Sequence, residues 1–206
     1  MSNIDRQAHW QHVYATKNEK EVSWFQESPA PSLDLIINAG TSTDAAIVDV
    51  GGGTSRLVDS LIQKGFRRIT VLDISANALE KTKKRLGRSG DAVAWITADI
   101  TRWKPTVTYD LWHDRATFHF LTEPTDLEAY VRCLTNAVRQ GGQVIIGSFA
   151  ADGPNRCSGL PIIRYDSEQL ALTLGSAFEL VDSERHEHVS PGGTKQHFQF
   201  SRFLRT

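Results

Sequence analysis

Ionisable side chains are concentrated in the segment Tyr109–Phe120, YDLWHDRATFHF, whose first half has the apolar character of a buried strand. His113, Asp114 and Arg115 follow one another, and His119 comes one helical turn later. A histidine can accept a proton because its pKa lies near neutrality, a neighbouring carboxylate can orient it or act as the base itself, and an arginine can bind an anion. The candidate catalytic residues are therefore His113, Asp114 and Arg115. The alternative is that Asp114 or Arg115 forms a structural ion pair.

A glycine-rich loop, VDVGGGTS at residues 48–55, lies between an apolar strand and a helix. Glycine permits a tight turn and close approach of a ligand to the backbone, and a helix N-terminus favours a carboxylate or phosphate. Asp73 ends the next strand, where an acidic residue can accept hydrogen bonds from both hydroxyl groups of a ribose. Asp99 follows the third strand beside Ile100, a combination that suits the polar edge and apolar face of an adenine ring. Open α/β sheets bind ligands at such strand ends, so we expect one shared crevice.

Strands and helices alternate along most of the chain, which is typical of a parallel sheet covered by helices on both faces. The last two extended runs, 178–188 and 196–204, are separated by Ser190-Pro-Gly-Gly193 and predict a β-hairpin instead. We therefore expect a mostly parallel sheet with one antiparallel strand near its end. The predicted strands before the hairpin are 45–50, 68–72, 92–96, 109–113 and 143–149, and the predicted helices are 4–18, 32–39, 55–64, 76–86 and 127–139.

In their order and spacing, IVDVGGGTS, VLDIS, TADIT, YDLWHDR, GGQVIIGSF and the closing hairpin resemble the class I S-adenosylmethionine-dependent methyltransferases over about residues 30–206. A dinucleotide dehydrogenase would instead carry a third glycine where Arg56 stands. The resemblance implies a Rossmann-like α/β fold, with a seven-stranded, mostly parallel sheet, helices on both faces and a C-terminal antiparallel hairpin strand. It also implies S-adenosyl-L-methionine as cofactor and S-adenosyl-L-homocysteine as product. The cofactor-binding residues implied in this way are Asp49, Gly51, Gly53, Asp73, Ile74, Asp99, Ile100, His113 and Trp24.

Aromatic residues are dense in the N-terminal segment, which we divide from the methyltransferase domain at residues 1–30 and 31–206. They either pack on the sheet edge or form a lid over the cofactor, where aromatic faces attract a sulfonium by the cation–π effect. A closed aromatic lid suits a small substrate. The predicted substrate-binding residues are Tyr14, Phe25, His119 and Arg164.

The methyl acceptor is the least determined part of the prediction. The segment Trp112–Ala116, WHDRA, resembles the thiopurine and small-thiol S-methyltransferases, and the tryptophan-bearing arm resembles small lysine methyltransferases. A thiol with a pKa near 8.5 supplies its own thiolate, whereas a lysine amine must first lose a proton. We expect S-methylation of a small thiol or sulfide. The alternatives are methylation of protein lysine, O- or N-methylation of another small molecule, and a cofactor-binding module without activity.

The bulk composition indicates a single globular domain of 206 residues, with 40% hydrophobic and 23% charged residues. A formal net charge of −1 gives no sign of the basic surface that nucleic acid requires. Two cysteines, no apolar membrane-length run and no signal-peptide pattern predict a cytoplasmic protein without a membrane partner. We expect a monomer or weak homodimer that binds no metal. The histidines of His186-Glu-His188 are interpreted as solvated strand residues.

Overall fold

The computed structural model describes residues 5–206, so residues 1–4 of the predicted arm lie outside the described chain. The strands are β1 (Ala46–Val50), β2 (Arg68–Asp73), β3 (Ala94–Thr97), β4 (Tyr109–Arg115), β5 (Val138–Phe149), β6 (Arg156–Cys157), β7 (Leu160–Pro161), β8 (Phe178–Val189) and β9 (Lys195–Arg205). The helices are α1 (Arg6–Thr16), α2 (Ser32–Asn38), α3 (Leu57–Gln63), α4 (Ala76–Leu86), α5 (Pro124–Ala137) and α6 (Ser167–Leu174).

Seven strands form one sheet in the order β3-β2-β1-β4-β5-β9-β8, and β6 and β7 form a separate short hairpin. The strands from β3 to β5 run parallel, whereas β9 lies antiparallel between β5 and β8. The predicted Rossmann-like α/β fold, with its mostly parallel sheet and closing hairpin, is confirmed.

The sheet separates two apolar layers because successive side chains of a strand point to opposite faces. Val48 and Trp112 contribute to the layer beneath α5 and α6, and Ile47 and Leu111 contribute to the layer beneath α2 and α3. All five residues of β1 are buried. A strand covered on both faces reads as a continuous apolar run, which explains the sequence AIVDV apart from its aspartate.

The junction of α5 and β5 differs from the prediction. The helix ends at Ala137 and the strand begins at Val138, whereas Gly141-Gly142 was expected to close a helix at Arg139. Val138 already pairs with Tyr109, and the register then shifts so that Gln143 pairs with Leu111. Gly141 has φ +73°, a conformation that glycine adopts without strain. The two glycines therefore belong to an irregularity within the strand.

The N-terminal arm, residues 5–28, is held on α4 by hydrogen bonds. Helix α1 begins after Asp5, whose side chain accepts from the amide of Ala8. The side-chain oxygen of Gln11 accepts hydrogen bonds from the Ser75 hydroxyl and the Asn77 amide, both at 3.0 Å. These contacts place the arm over the carboxyl ends of β1 and β2.

The parallel strands bring their carboxyl ends to one edge of the sheet, where the glycine loop, Asp73, Asp99 and Arg115 all lie. None of the helices in residues 5–206 has both the length and the apolar composition needed to cross a bilayer.

Candidate active site

The glycine loop after β1 leaves no room for side chains. Gly51 has φ +69°, and a Cβ atom there would stand 1.7 Å from the Thr117 hydroxyl oxygen. A Cβ atom on Gly53 would stand 2.7 Å from the Tyr14 hydroxyl. The Gly51 amide donates to the Leu72 carbonyl at 2.7 Å, which fixes the turn against the end of β2. The loop thus exposes backbone to the space above it, as close approach of a ligand requires.

A cleft runs along these strand ends, and because it is the larger of the two that meet at Arg115 we term it the large cavity. Its lining includes Arg6, Trp10, Tyr14, Ser23, Trp24, Gly51, Leu72, Asp73, Ile74, Ala98, Asp99, Ile100, Arg115, Ala116, Thr117, Phe120, Leu121, Phe149, Cys157, Gln196 and Phe198.

Asp73 places a buried carboxyl group in the large cavity. It accepts a hydrogen bond from the Ser75 amide at 2.7 Å. Burial, helped by the nearby charge of Asp49, raises the pKa of Asp73 to about 7. A carboxylate in this position accepts hydrogen bonds strongly because little water competes for it.

Asp99 and its neighbours form the far end of the large cavity. One carboxylate oxygen accepts from the amide and the hydroxyl of Thr101 at 2.9 and 2.8 Å. The other oxygen lies 3.6 Å from the Arg6 guanidinium, which also pairs with Asp126 at 3.0 Å. Ile100 lies beside it. This end therefore combines a fixed acceptor with an apolar surface.

His113 lies in a second, smaller cleft, which we term the side cavity. The two cavities share Gly51 and Arg115, and Asp49 and Phe25 line only the side cavity. The Nδ1 atom of His113 lies 2.7 Å from Asp49 Oδ1, and both side chains are buried. Among the described residues, Nε2 has no hydrogen-bond partner. When Nδ1 carries the proton for Asp49, Nε2 is a free acceptor.

Arg115 lines both cavities as a partly buried cation. Its guanidinium carbon lies 5.5 Å from the centre of the Phe198 ring. Burial lowers the pKa of Arg115 to about 10, with Asp49 opposing that shift, so the side chain is charged at neutral pH. Its Nη2 atom is shielded from solvent and finds no hydrogen-bond partner in residues 5–206.

Asp114 does not reach either cavity, because it points to the opposite side of β4 from His113 and Arg115. Its carboxyl group accepts from the amides of Thr117 and Phe118 at 2.9 and 3.2 Å and from the Tyr130 hydroxyl at 2.7 Å. Burial raises the pKa of Asp114 to about 6. The contacts fix the turn that follows the strand.

His119 and Arg164 also lie outside the described linings. The His119 ring stacks on Phe149 at 4.9 Å, and burial lowers the pKa of His119 to about 3, so it is neutral. It supports the cavity wall from behind. Arg164 is exposed and donates to the Gly153 carbonyl at 3.2 Å. Of the four predicted substrate-binding residues, Tyr14 and Phe25 line a cavity, whereas His119 and Arg164 do not.

The aromatic residues of the arm cover the large cavity. Trp10 contacts Trp24 and Phe120 with ring centres 5.7 and 5.1 Å apart, and Tyr14 contacts Trp24 at 6.1 Å. Sequence reasoning did not assign Phe120, Phe149, Phe198 or Gln196 to the site. The sequence did contain an indication for Phe198. It alternates with polar residues along β9, which predicts that its side chain points to the buried face of the sheet.

His188 was predicted to be solvated, and this is wrong. Only 2% of the residue is exposed, and Nε2 lies 2.7 Å from the carbonyl oxygen of Ser23. The arm folds back over β8 and covers the ring. His188 therefore anchors the arm immediately before Trp24.

A family model described as a methyltransferase domain matches residues 47–142, from β1 into β5. That range carries the glycine loop, Asp73, Asp99 and the whole His113–Arg115 segment, in the sheet order just described. Over this range the chain is similar to the methyltransferase-domain family. The bare loop at Gly51 with the carboxyl groups of Asp73 and Asp99 fits S-adenosylmethionine, the cofactor that the sequence resemblance implies.

The curated relatives are identical to this chain at under a third of the aligned positions. Methyltransferase srdJ of Neurospora crassa is 28% identical over 82% of this chain and 72% of its own length. Trans-aconitate 2-methyltransferase of Rhizobium etli is 29% identical over 58% of this chain and 44% of its own length. Nodulation protein S of Bradyrhizobium diazoefficiens is 30% identical over 50% and 49%. The chain thus spans less than half the length of the latter two.

Two solved structures show the same fold. One, described as the conversion of a disulfide bond into a thioacetal group during echinomycin biosynthesis, has a TM-score of 0.77 at 20% identity and covers 97% of this chain and 92% of its own. The N-methyltransferase NodS from Bradyrhizobium japonicum with S-adenosylhomocysteine has a TM-score of 0.70 at 14% identity, covering 98% and 99%. At these identities the likeness concerns the fold.

Proposed function

We propose that this chain is an S-adenosylmethionine-dependent methyltransferase that acts on a small-molecule acceptor, with a thiol or sulfide as the first candidate. The observation that carries the proposal is the covered cavity: Asp73, Asp99 and Arg115 line one cleft beneath Trp10 and Trp24. A protein side chain would have to pass this aromatic cover, whereas a small acceptor fits beneath it.

The residues of the large cavity divide between binding and exclusion of water. Asp73 accepts from the ribose hydroxyls, Asp99 accepts from the adenine amine, and the loop at Gly51 contacts the methionine part. Trp10 and Trp24 exclude water and offer aromatic faces to the sulfonium. The bound cofactor supplies an electrophilic methyl group on a positively charged sulfur.

Proton transfer falls to His113 in this proposal. Asp49 at 2.7 Å fixes the ring so that Nε2 can accept a proton. The acceptor sulfur, as a thiolate, forms its bond to the methyl carbon while the bond from that carbon to the sulfonium breaks. The thiol proton passes to Nε2. Asp114 holds the turn after β4 and takes no part in this step.

The charge at Arg115 argues against a lysine acceptor. An ammonium group would enter a cavity that already holds a partly buried cation, and it would have to lose its proton there. A thiol carries a thiolate fraction near neutral pH. A carboxylate is the second candidate acceptor, because it is already anionic and because the relative from Rhizobium etli is named as a trans-aconitate methyltransferase.

Methyl transfer from labelled S-adenosylmethionine tests the proposal. The acceptors are hydrogen sulfide, 2-mercaptoethanol and 3-mercaptopropionate, with trans-aconitate and a cell lysate as comparisons. We expect labelled thioethers or methanethiol from the thiols, and slower transfer by the His113→Gln variant below the thiol pKa than above it. Label on trans-aconitate alone would favour the carboxylate candidate. Label on lysine in lysate protein, with none on any small molecule, would refute the proposal.

A further inference from the structure

Arg115 is a cation without a counter-charge of its own. Its Nη2 atom is shielded from solvent and unbonded, and no carboxylate of residues 5–206 lies within ion-pair distance. The charge of Asp49 acts on Arg115, but its Oδ1 atom is engaged by His113 and, among residues 5–206, its Oδ2 atom forms no hydrogen bond. A buried charge with unmet hydrogen bonds is costly unless a partner supplies both.

The other cation in the lining of the large cavity is satisfied. Arg6 pairs with both Asp99 and Asp126. Arg115 differs from it: its guanidinium carbon lies 5.5 Å from the centre of the Phe198 ring, and among the described residues its Nη2 atom stays unpaired at the border of the two cavities. The planar edge of a guanidinium matches the two oxygens of a carboxylate.

We infer that the methyl acceptor carries a permanent anionic group, a carboxylate or similar oxyanion, separate from its nucleophilic atom, and that Arg115 binds this group. The inference rests on the proposed function, since it concerns the acceptor of the same site. S-adenosylmethionine brings a second cation, the sulfonium, into the large cavity. An anionic acceptor balances both charges, whereas a neutral acceptor leaves Arg115 unpaired. Arg115 is thereby a specificity-determining residue for acidic thiols over neutral ones.

The carboxylate of the cofactor's methionine part is the competing partner for Arg115, and calorimetry separates the two. Protein saturated with S-adenosylhomocysteine is titrated with 3-mercaptopropionate, 2-mercaptoethanol or propionate. The variants are Arg115→Gln, Arg115→Lys and the control Arg67→Gln, an exposed arginine paired with Asp44 outside both cavities. Circular dichroism confirms that each variant is folded, and the affinity for S-adenosylhomocysteine is measured separately.

We expect 3-mercaptopropionate to bind about tenfold more tightly than 2-mercaptoethanol, as a charge-assisted hydrogen-bond pair would give. The difference should vanish in Arg115→Gln, persist in part in Arg115→Lys and remain in Arg67→Gln. Equal affinities for the two thiols, or no loss of propionate binding in Arg115→Gln, would overturn the inference. So would weaker binding of S-adenosylhomocysteine in Arg115→Gln with the thiol preference retained. Arg115-dependent binding of propionate without methylation of any thiol would refute the thiol acceptor and leave the anion site standing.

Discussion

The buried carboxyl group of Asp73 should make cofactor binding depend on pH. Its pKa is raised to about 7 because the group is buried, so the empty site is partly protonated at neutral pH. The ribose hydroxyls donate to the carboxylate, and a proton on Asp73 competes with them. Binding of S-adenosylhomocysteine must therefore expel a proton whenever the pH is at or below about 7.

The size of the effect follows from the pKa. With a value of about 7, roughly one-tenth of the Asp73 groups are ionised at pH 6 and roughly nine-tenths at pH 8. The dissociation constant for S-adenosylhomocysteine should thus be about tenfold higher at pH 6 than at pH 8, or about 1.4 kcal/mol. The stability of the empty protein should change in the opposite direction. Because the pKa of Asp73 is higher in the folded protein than in the unfolded chain, protonated Asp73 favours folding. This contribution to the free energy of unfolding is fully present below the unfolded-state pKa near 3.9 and is lost as the pH rises through about 7.

Isothermal titration calorimetry at pH 6, 7 and 8 measures this dependence, and buffers of different ionisation enthalpy count the released proton. The matched variant is Asp73→Asn, which keeps the shape and removes the titration. It should bind S-adenosylhomocysteine about 10–100-fold more weakly at pH 8, because charge-assisted hydrogen bonds are lost, and with little pH dependence. A constant affinity of the natural protein between pH 6 and pH 8 would show that Asp73 does not titrate there. An unchanged pH slope in Asp73→Asn would assign the proton to another group.

Two further variants separate structural from catalytic side chains. Asp114→Ala leaves the Tyr130 hydroxyl and two backbone amides without their acceptor, so urea denaturation should show a loss of about 3 kcal/mol; lost turnover at unchanged stability would contradict this reading. His188→Ala removes the hydrogen bond to Ser23 and loosens the arm, so stopped-flow tryptophan fluorescence should show about threefold to tenfold faster release of S-adenosylhomocysteine, as expected for one lost buried hydrogen bond. The neighbouring control His186→Ala should leave that rate unchanged, and equal rates in the two variants would refute an anchoring role.

The fold was predictable because its signals are local. Strand and helix periods alternate from β1 to β5, and Ser190-Pro-Gly-Gly193 marks the hairpin. Parallel strands bring their carboxyl ends together whatever the loops do, so Gly51, Asp73 and Asp99 could be assigned to one crevice without coordinates. The boundary of β5 could not be placed, since Gly141 and Gly142 signal an irregular strand as well as a helix end.

The site was predictable only in part. The face of the sheet to which a side chain points, and its contacts with residues far away in the sequence, depend on the whole fold. Consecutive residues of a strand cannot share a face, and this rule alone separates Asp114 from His113 and Arg115. His119 depends on how the turn after β4 packs against Phe149. The burial of His188 depends on an arm far away in the sequence. The roles assigned to the site residues stay predictions until the variants are measured.

The hydrogen bond between His188 and Ser23 joins positions 165 residues apart. During synthesis the arm leaves the ribosome well before β8 has been made, so the hydrogen bond between Ser23 and His188 cannot yet form. The large cavity also needs Phe198 and Gln196, which follow later still. A nascent chain can therefore neither cover the cavity nor complete its wall until nearly all of this sequence has been made. Capture of the cofactor therefore requires β8 and β9 to have been made, and a ribosome-bound fragment that lacks them should remain without it.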